Sequence, residues 1–255
     1  MLETFFKPVD PHKRKAKVLY LMGATWHNRC MFDIDVEEDS LADILQKKNI
    51  EVITFNNYGT GPQDKTEIIG DKHRVNIEHA AELIEKHNIE YVFAYSYGCF
   101  AVRDLALRYN LKGIIILDPY LSKPNVECTL VDNGDKVQYT RVNILNNLKK
   151  YGTNILPAML NAHLNALANG GTLVSATYPS LHLSENLELF SNPNTIKELQ
   201  GRCKVNLILT KTPPITTEQL FPPEIVVRNK EASHWIMLEQ HRYWLADQIE
   251  ALVTI

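Results

Sequence analysis

Short apolar runs alternate along this chain with longer stretches of helical periodicity, and this alternation limits the folds that the chain can adopt. Six runs rich in Val, Ile and Leu span 17–22, 51–55, 90–94, 113–118, 204–209 and 224–228. Helical patterns span 40–48, 75–87, 99–109 and 241–253. Strands separated by helices join a parallel sheet with helices against its faces. We therefore predict an α/β fold, with a mostly parallel central sheet and helices on both faces.

The regular alternation stops between about 120 and 195. This segment contains Asn-rich helical patterns at 140–150 and 155–169 and then Gly170 and Gly171, before the strand pattern returns at 204–209. The chain has 255 residues, 45% of them hydrophobic, which suffices for one large core. We predict a single domain over 1–255 with a helical cap inserted at about 120–195.

Composition excludes several classes of function. A formal net charge of −3 supplies no field that would attract nucleic acid, so a small-molecule substrate is expected. No run approaches the roughly 20 apolar residues that span a bilayer. Four cysteines without a C-x-x-C pair predict neither a zinc site nor a dense disulfide framework, which favours a reducing cytoplasm. We expect no metal and no cofactor, and the oligomeric state stays open.

The third apolar run leads directly into the segment Ala94-Tyr-Ser-Tyr-Gly98, with a helical pattern behind it. A serine at a sharp turn from strand to helix projects its hydroxyl above the edge of the sheet, and the backbone there needs small neighbours two residues away. Ala94 and Gly98 meet that need. We predict that Ser96 is a nucleophile, against the alternative of a turn in which Ser96 only caps a helix.

A serine hydroxyl needs a base, and His234 lies between the last strand pattern and the final helix, in a loop. Imidazole titrates near neutral pH and can pass a proton from nucleophile to leaving group. Of the nine histidines, His234 alone has the right place, after the last strand and before the final helix.

The third feature of the predicted active site is Gly23, directly after the first strand, where a turn can direct backbone N–H groups towards a developing oxyanion. We predict the amides of Ala24 and Tyr97 for that role.

Together these residues resemble the α/β-hydrolase family of serine hydrolases. The resemblance covers 17–253 and follows a common order: the Gly23 turn, the Ser96 turn, an insertion and the His234 loop. It implies a catalytic triad, an oxyanion hole and a cap that shapes the substrate pocket.

The resemblance leaves the acid of the triad open. Family members most often carry it just after the strand that ends here at Leu209, but 210–217 contains no carboxylate. Other members carry the acid after the preceding strand, where this chain has Asp118. Asp118 is the predicted acid, Glu218 is the second candidate, and a dyad without an acid is the third. An aspartate before a proline is also a common turn residue.

Three functions follow from this pattern. The first is hydrolysis of a carboxylic ester or thioester through an acyl-enzyme on Ser96, as in an esterase, thioesterase or lipase. The second is transfer of the same acyl group to an alcohol or amine. The third is a catalytically weak binding protein that retains the fold. An intact Ser96 and His234 favour an enzyme over the binding protein.

Overall fold

The fold is described by a computed structural model for residues 2–23, 32–33, 37–57, 72–119, 155–160, 193–211 and 222–254. Within these ranges seven strands form one sheet: β1 (Thr4–Lys7), β2 (Ala16–Leu21), β3 (Ile50–Phe55), β4 (Tyr91–Tyr95), β5 (Gly113–Leu117), β6 (Lys204–Leu209) and β7 (Val226–Arg228). The helices are α1 (Leu41–Lys47), α2 (Lys72–His87), α3 (Val102–Arg108), α4 (Pro193–Gln200) and α5 (Arg242–Val253). The same described ranges contain three 3₁₀ segments, at Ser96–Ala101, Pro223–Ile225 and Ile236–Leu238.

The strand order in the sheet is β1-β3-β2-β4-β5-β6-β7. All neighbouring pairs are parallel except β1 with β3, so the predicted parallel sheet is confirmed. From β2 the chain passes first to one side, at β3, and then to the other, at β4. This reversal opens a crevice at the carboxyl ends of β2 and β4, where α/β sheets bind ligands. Gly23 and Ser96 follow these two strands.

Two hydrophobic clusters cover the two faces of the sheet. Alternate strand residues such as Tyr20, Phe93 and Tyr95 pack with α1 and α5 on one face. Their neighbours, among them Leu19 and Val92, pack with α2, α3 and α4 on the other. Because side chains alternate along a strand, each buried strand contributes apolar residues to both clusters. Helices on both faces are therefore confirmed.

Two predicted elements differ in their boundaries from the structure, because a 3₁₀ segment, which hydrophobic periodicity does not reveal, forms the first part of each. The helix predicted for 99–109 begins instead with the 3₁₀ segment and becomes α-helical only at Val102. The strand predicted for 224–228 keeps three residues, because its first part is the Pro223–Ile225 turn. Strand β1 has no counterpart among the predicted elements, since it is a short edge strand whose Phe6 is 48% exposed.

The predicted cap at 120–195 lies mostly outside the described residues. Of that region, residues 155–160 and the start of α4 are described. Ile155 forms a bridge with Glu239, and the Leu156 amide donates to the Leu238 carbonyl. Met159 is wholly buried in the cluster of α1 and α5. The single domain and the cap itself stay predictions.

Gly98 lies against the end of β2 so closely that no side chain fits. A Cβ at this position would lie 2.4 Å from the carbonyl oxygen of Leu21 and 2.7 Å from that of Met22. Both neighbours are backbone atoms of the central strand and its continuation, so they cannot rotate aside. Glycine at 98 thus allows the turn after β4 to pack beneath the end of β2.

We predict that Gly98→Ala lowers the free energy of unfolding by about 3 kcal/mol or more, because the backbone must shift to admit a methyl group. The measurement is urea unfolding followed by circular dichroism. Gly201→Ala is the matched control: its Cβ would meet atoms no closer than 3.5 Å, and its effect is expected within about 0.5 kcal/mol. Equal effects at the two glycines would contradict the role of the close approach.

Candidate active site

Ser96 follows the last residue of β4 and opens the 3₁₀ segment. Its φ of 51° lies in the left-handed region that residues other than glycine rarely adopt. Such strain persists only where the surrounding packing imposes it, and it is common at functional sites. The strand-to-helix turn predicted from the sequence is therefore present, and Ser96, which is 9% exposed, has the strained backbone expected at such a turn.

The Gly23 turn lies beside Ser96. A Cβ on Gly23 would lie 3.5 Å from the Cβ of Ser96. The side-chain amide of Asn57, two residues beyond β3, donates to the Gly23 carbonyl oxygen at 2.9 Å and holds this turn in place. Of the two predicted oxyanion donors, Tyr97 is the second residue of the 3₁₀ segment and buried, while Ala24 lies outside the described residues. Both roles stay predictions.

Asp118 directly follows β5 and is wholly buried. Like Ser96 it has a positive φ, here 41°, so the chain turns sharply at the end of this strand also. Its carboxylate accepts two hydrogen bonds from Thr210: Oδ1 from the backbone amide at 2.8 Å and Oδ2 from the hydroxyl at 2.5 Å. Thr210 follows β6, the strand after which the resemblance most often places an acid. At that position this chain has Thr210, which donates to the Asp118 carboxylate at the end of the neighbouring strand.

The structure brings His234 and Asp118 together. Nδ1 of the imidazole lies 3.1 Å from Oδ2 of Asp118. A carboxylate can only accept in this bond, so Nδ1 carries the proton and Nε2 of the neutral ring keeps its lone pair. The His234 side chain retains 14% exposure, whereas that of Asp118 has none. An imidazole held in this way by a carboxylate is suited to act as a general base.

Ser96 is linked to His234 through its neighbour Tyr95. The phenol of Tyr95 donates to the backbone carbonyl of His234 at 2.9 Å. The two ring centroids are 4.9 Å apart, with 33° between the planes. Ser96 and the loop of residues 233–239, named the base loop after the role predicted for His234, therefore lie at the same end of the sheet. The direct bond from the Ser96 hydroxyl to the imidazole stays a prediction.

A second buried carboxylate closes the base loop. Glu239 is wholly buried and accepts from the amide of Ser233 at 3.0 Å and from its hydroxyl at 2.5 Å. Nδ1 of His241 lies 3.4 Å from the same carboxylate, and the Glu239 carbonyl accepts from the buried guanidinium of Arg242 at 2.9 Å. The hydrogen bonds from Ser233 to the Glu239 carboxylate thus join the two ends of residues 233–239. They fix the segment that contains His234.

Three residues with evident roles at this site were not candidates from the sequence: Tyr95, Thr210 and Glu239. Thr210 could have been found, because it directly follows a predicted strand. The other two make contacts that no local pattern encodes. Glu218, the second candidate acid, lies outside the described residues.

Within the described ranges no group of three or more His, Cys, Asp or Glu side chains could hold a metal ion. The described helices include none that is long and apolar enough to cross a membrane.

The sequence matches no known family model and no curated protein, whereas the structure resembles many solved ones. A mutant of the meta-cleavage product hydrolase CumD has a TM-score of 0.70 at 16% identity, over 98% of this chain and 93% of that one. An AqdC variant that recognises and cleaves the ring of the Pseudomonas quinolone signal has a TM-score of 0.70 at 14% identity, over 98% and 94%. A monoacylglycerol lipase from Paleococcus ferrophilus has a TM-score of 0.65 at 14% identity, over 100% and 98%.

These neighbours are α/β-hydrolase-fold enzymes, and the chain has the α/β-hydrolase fold. The fold that the sequence resemblance implies is thereby confirmed. At such low identity the likeness identifies the architecture, and the reaction has to be argued from the site.

We predict that Thr210→Val destabilises the protein by about 1 to 3 kcal/mol, because the buried Asp118 carboxylate then loses its hydroxyl donor. Thr210→Ser keeps that donor and is expected to cost less than half as much. Urea unfolding of both variants measures the difference. Equal destabilisation by Val and Ser would show that the hydroxyl bond to Asp118 contributes little.

Proposed function

We propose that this protein is a serine hydrolase that cleaves a carboxylic ester or thioester of a small molecule through an acyl-enzyme on Ser96. The observation that carries the proposal is the 3.1 Å contact between His234 Nδ1 and Asp118 Oδ2. It is made at the carboxyl edge of the sheet, where Ser96 occupies a left-handed turn. A base oriented by a buried carboxylate beside a strained serine is the arrangement that acyl transfer requires.

In the first half of the proposed reaction, Nε2 of His234 takes the proton of the Ser96 hydroxyl while Oγ bonds to the substrate carbonyl carbon. The carbonyl oxygen becomes negative and accepts from the backbone amides of Ala24 and Tyr97. The imidazolium then gives its proton to the leaving alcohol or thiol, and the C–O or C–S bond breaks. In the second half water attacks the acyl carbon while His234 takes a proton from the water. The bond between the acyl carbon and Oγ then breaks, the imidazolium returns the proton to Oγ, and the acid is released.

Asp118 has two tasks in this scheme. It keeps the proton on Nδ1, so that Nε2 faces the nucleophile as an acceptor, and its charge stabilises the imidazolium that forms in each half-reaction. Thr210 supports both tasks, because its two hydrogen bonds restrict the movement of the carboxylate that contacts the imidazole. The proposal therefore assigns the acid to Asp118 rather than to Glu218.

The fold alone does not select this reaction, since the neighbours include a lipase, a meta-cleavage product hydrolase and a ring-cleaving enzyme. Ser96 with a complete base and acid favours covalent acyl chemistry over a binding role. An acyltransferase would use the same acyl-enzyme, and added alcohols would then divert the acyl group from water. We place the protein in the cytoplasm, on the support of the free thiols of Cys99 and Cys203.

We predict that a fluorophosphonate probe labels the wild-type protein and fails to label Ser96→Ala, because the probe needs the activated hydroxyl. In-gel fluorescence measures the labelling.

Asp118→Asn should lower kcat on a chromogenic acyl ester by roughly 10⁴-fold, since the wrong imidazole tautomer then faces Ser96.

Glu218→Gln is the matched control and is expected to retain wild-type kcat. Circular dichroism establishes that each variant is folded. Labelling of Ser96→Ala at the wild-type rate, or absent labelling of a folded wild type, would refute the proposed nucleophile. Equal and small effects of the two acid variants would indicate a dyad.

A further inference from the structure

Tyr95 is the last residue of β4 and directly precedes Ser96. Its side chain is 1% exposed and belongs to the cluster that includes α1 and α5. The hydroxyl donates to the backbone carbonyl of His234, and the phenol ring lies against the imidazole at a centroid distance of 4.9 Å. One side chain therefore contacts both the main chain and the ring of the proposed base.

The same ring also lies against the Gly23 turn. A Cβ on Gly23 would lie 3.0 Å and 3.2 Å from two ring carbons of Tyr95, so a side chain here would push the phenol away. Tyr95 is thus bonded covalently to the proposed nucleophile, packs on the turn proposed for the oxyanion hole and holds the proposed base.

We propose that Tyr95 is a positioning residue that sets the distance between the Ser96 hydroxyl and the His234 imidazole. The inference rests on the proposed function, which supplies the roles of Ser96 and His234. The hydrogen bond from Tyr95 fixes the proposed base relative to the residue next to the proposed nucleophile. Tyr95 and His234 are 139 positions apart in the sequence.

The base loop has other supports outside itself, such as the contact of His234 with Asp118 and the bridge between Glu239 and Ile155. None of the hydrogen bonds described above other than that of Tyr95 joins the loop to β4, the strand that ends beside Ser96. Strand β7, which precedes it, has three residues, all of them partly exposed. Glu239 closes the loop by bonding to Ser233, but this bond lies within the loop. A displacement of about 1 Å between reacting groups can cost roughly a hundredfold in rate. Tyr95 ties the loop to the strand that ends at Ser96.

The Tyr95 hydroxyl remains protonated, and so remains a donor, near neutral pH. Burial raises the pKa of Tyr95 well above its ordinary value, and Tyr20, Asp118, Cys99 and Glu239 act in the same direction. The donor of the bond to the His234 carbonyl therefore keeps its proton near neutral pH.

Tyr20 supplies a matched control on the neighbouring strand. It is wholly buried in the same cluster, and its hydroxyl donates to Sδ of Met237 at 3.2 Å. Tyr20→Phe and Tyr95→Phe each remove one buried hydroxyl that contacts residues 233–239, and each keeps the ring. Only the second removes a bond to His234.

The kinetic test compares kcat, KM and the fluorophosphonate labelling rate of the two variants. Tyr95→Phe is expected to lower kcat and the labelling rate by roughly 10- to 100-fold with KM changed less than about twofold. Tyr20→Phe should stay within about twofold of the wild type in all three. Urea unfolding should give similar stabilities for the two variants. Equal kinetics of Tyr95→Phe and Tyr20→Phe would overturn the inference.

A second measurement keeps the inference separate from the proposed reaction. In ¹⁵N-histidine spectra, with His234→Gln for assignment, the His234 imidazole signals should shift or broaden in Tyr95→Phe and stay unchanged in Tyr20→Phe. Unchanged signals in Tyr95→Phe would overturn the positioning role whatever the activity. Shifted signals in a protein that the probe does not label would support the role of Tyr95 and refute the proposed acyl-enzyme.

Discussion

The close approach of Gly98 to the end of β2 is the contact on which the rest of the site depends. Because no Cβ stands between Gly98 and the carbonyls of Leu21 and Met22, the turn after β4 packs beneath the central strand. The chain must then reverse within one residue of β4, which places Ser96 in the left-handed region. Packing in the centre of the sheet thus maintains the backbone strain at Ser96, the proposed nucleophile. The contact of Gly98 with the end of β2 therefore supports the proposed chemistry at Ser96.

Two wholly buried carboxylates organise the residues around this turn, and neither has a lysine or arginine as its partner among the contacts described above. Asp118 is satisfied by Thr210 and His234, and Glu239 by Ser233 and His241. A buried charge is costly unless it is hydrogen-bonded, so each carboxylate stabilises only the arrangement that supplies its donors. The Asp118 carboxylate joins the ends of β5 and β6 to His234, the proposed base, and the Glu239 carboxylate joins the two ends of the loop of residues 233–239.

Much of this architecture could be predicted from the sequence. Six of the seven described strands, four of the five described helices and the turn at Ser96 follow from periodicity and from small residues at 94 and 98, whereas α4 was not predicted. What the sequence does not reveal comes from long-range contacts. Tyr95 resembles an ordinary strand residue and Glu239 an ordinary surface charge until the loop after β7 packs on β4. Strand β1 is recognisable only through its pairing with β3.

The central claim is that Ser96 and His234 act on one carbonyl group, and the most direct measurement is a crystal structure of the protein after reaction with a fluorophosphonate. The account predicts phosphorus bonded to Oγ of Ser96, His234 Nε2 within about 3.2 Å of Oγ or of a phosphonate oxygen, and a phosphonate oxygen facing the Tyr97 amide. Phosphorus on another residue, or an imidazole that faces away from the adduct, would contradict it.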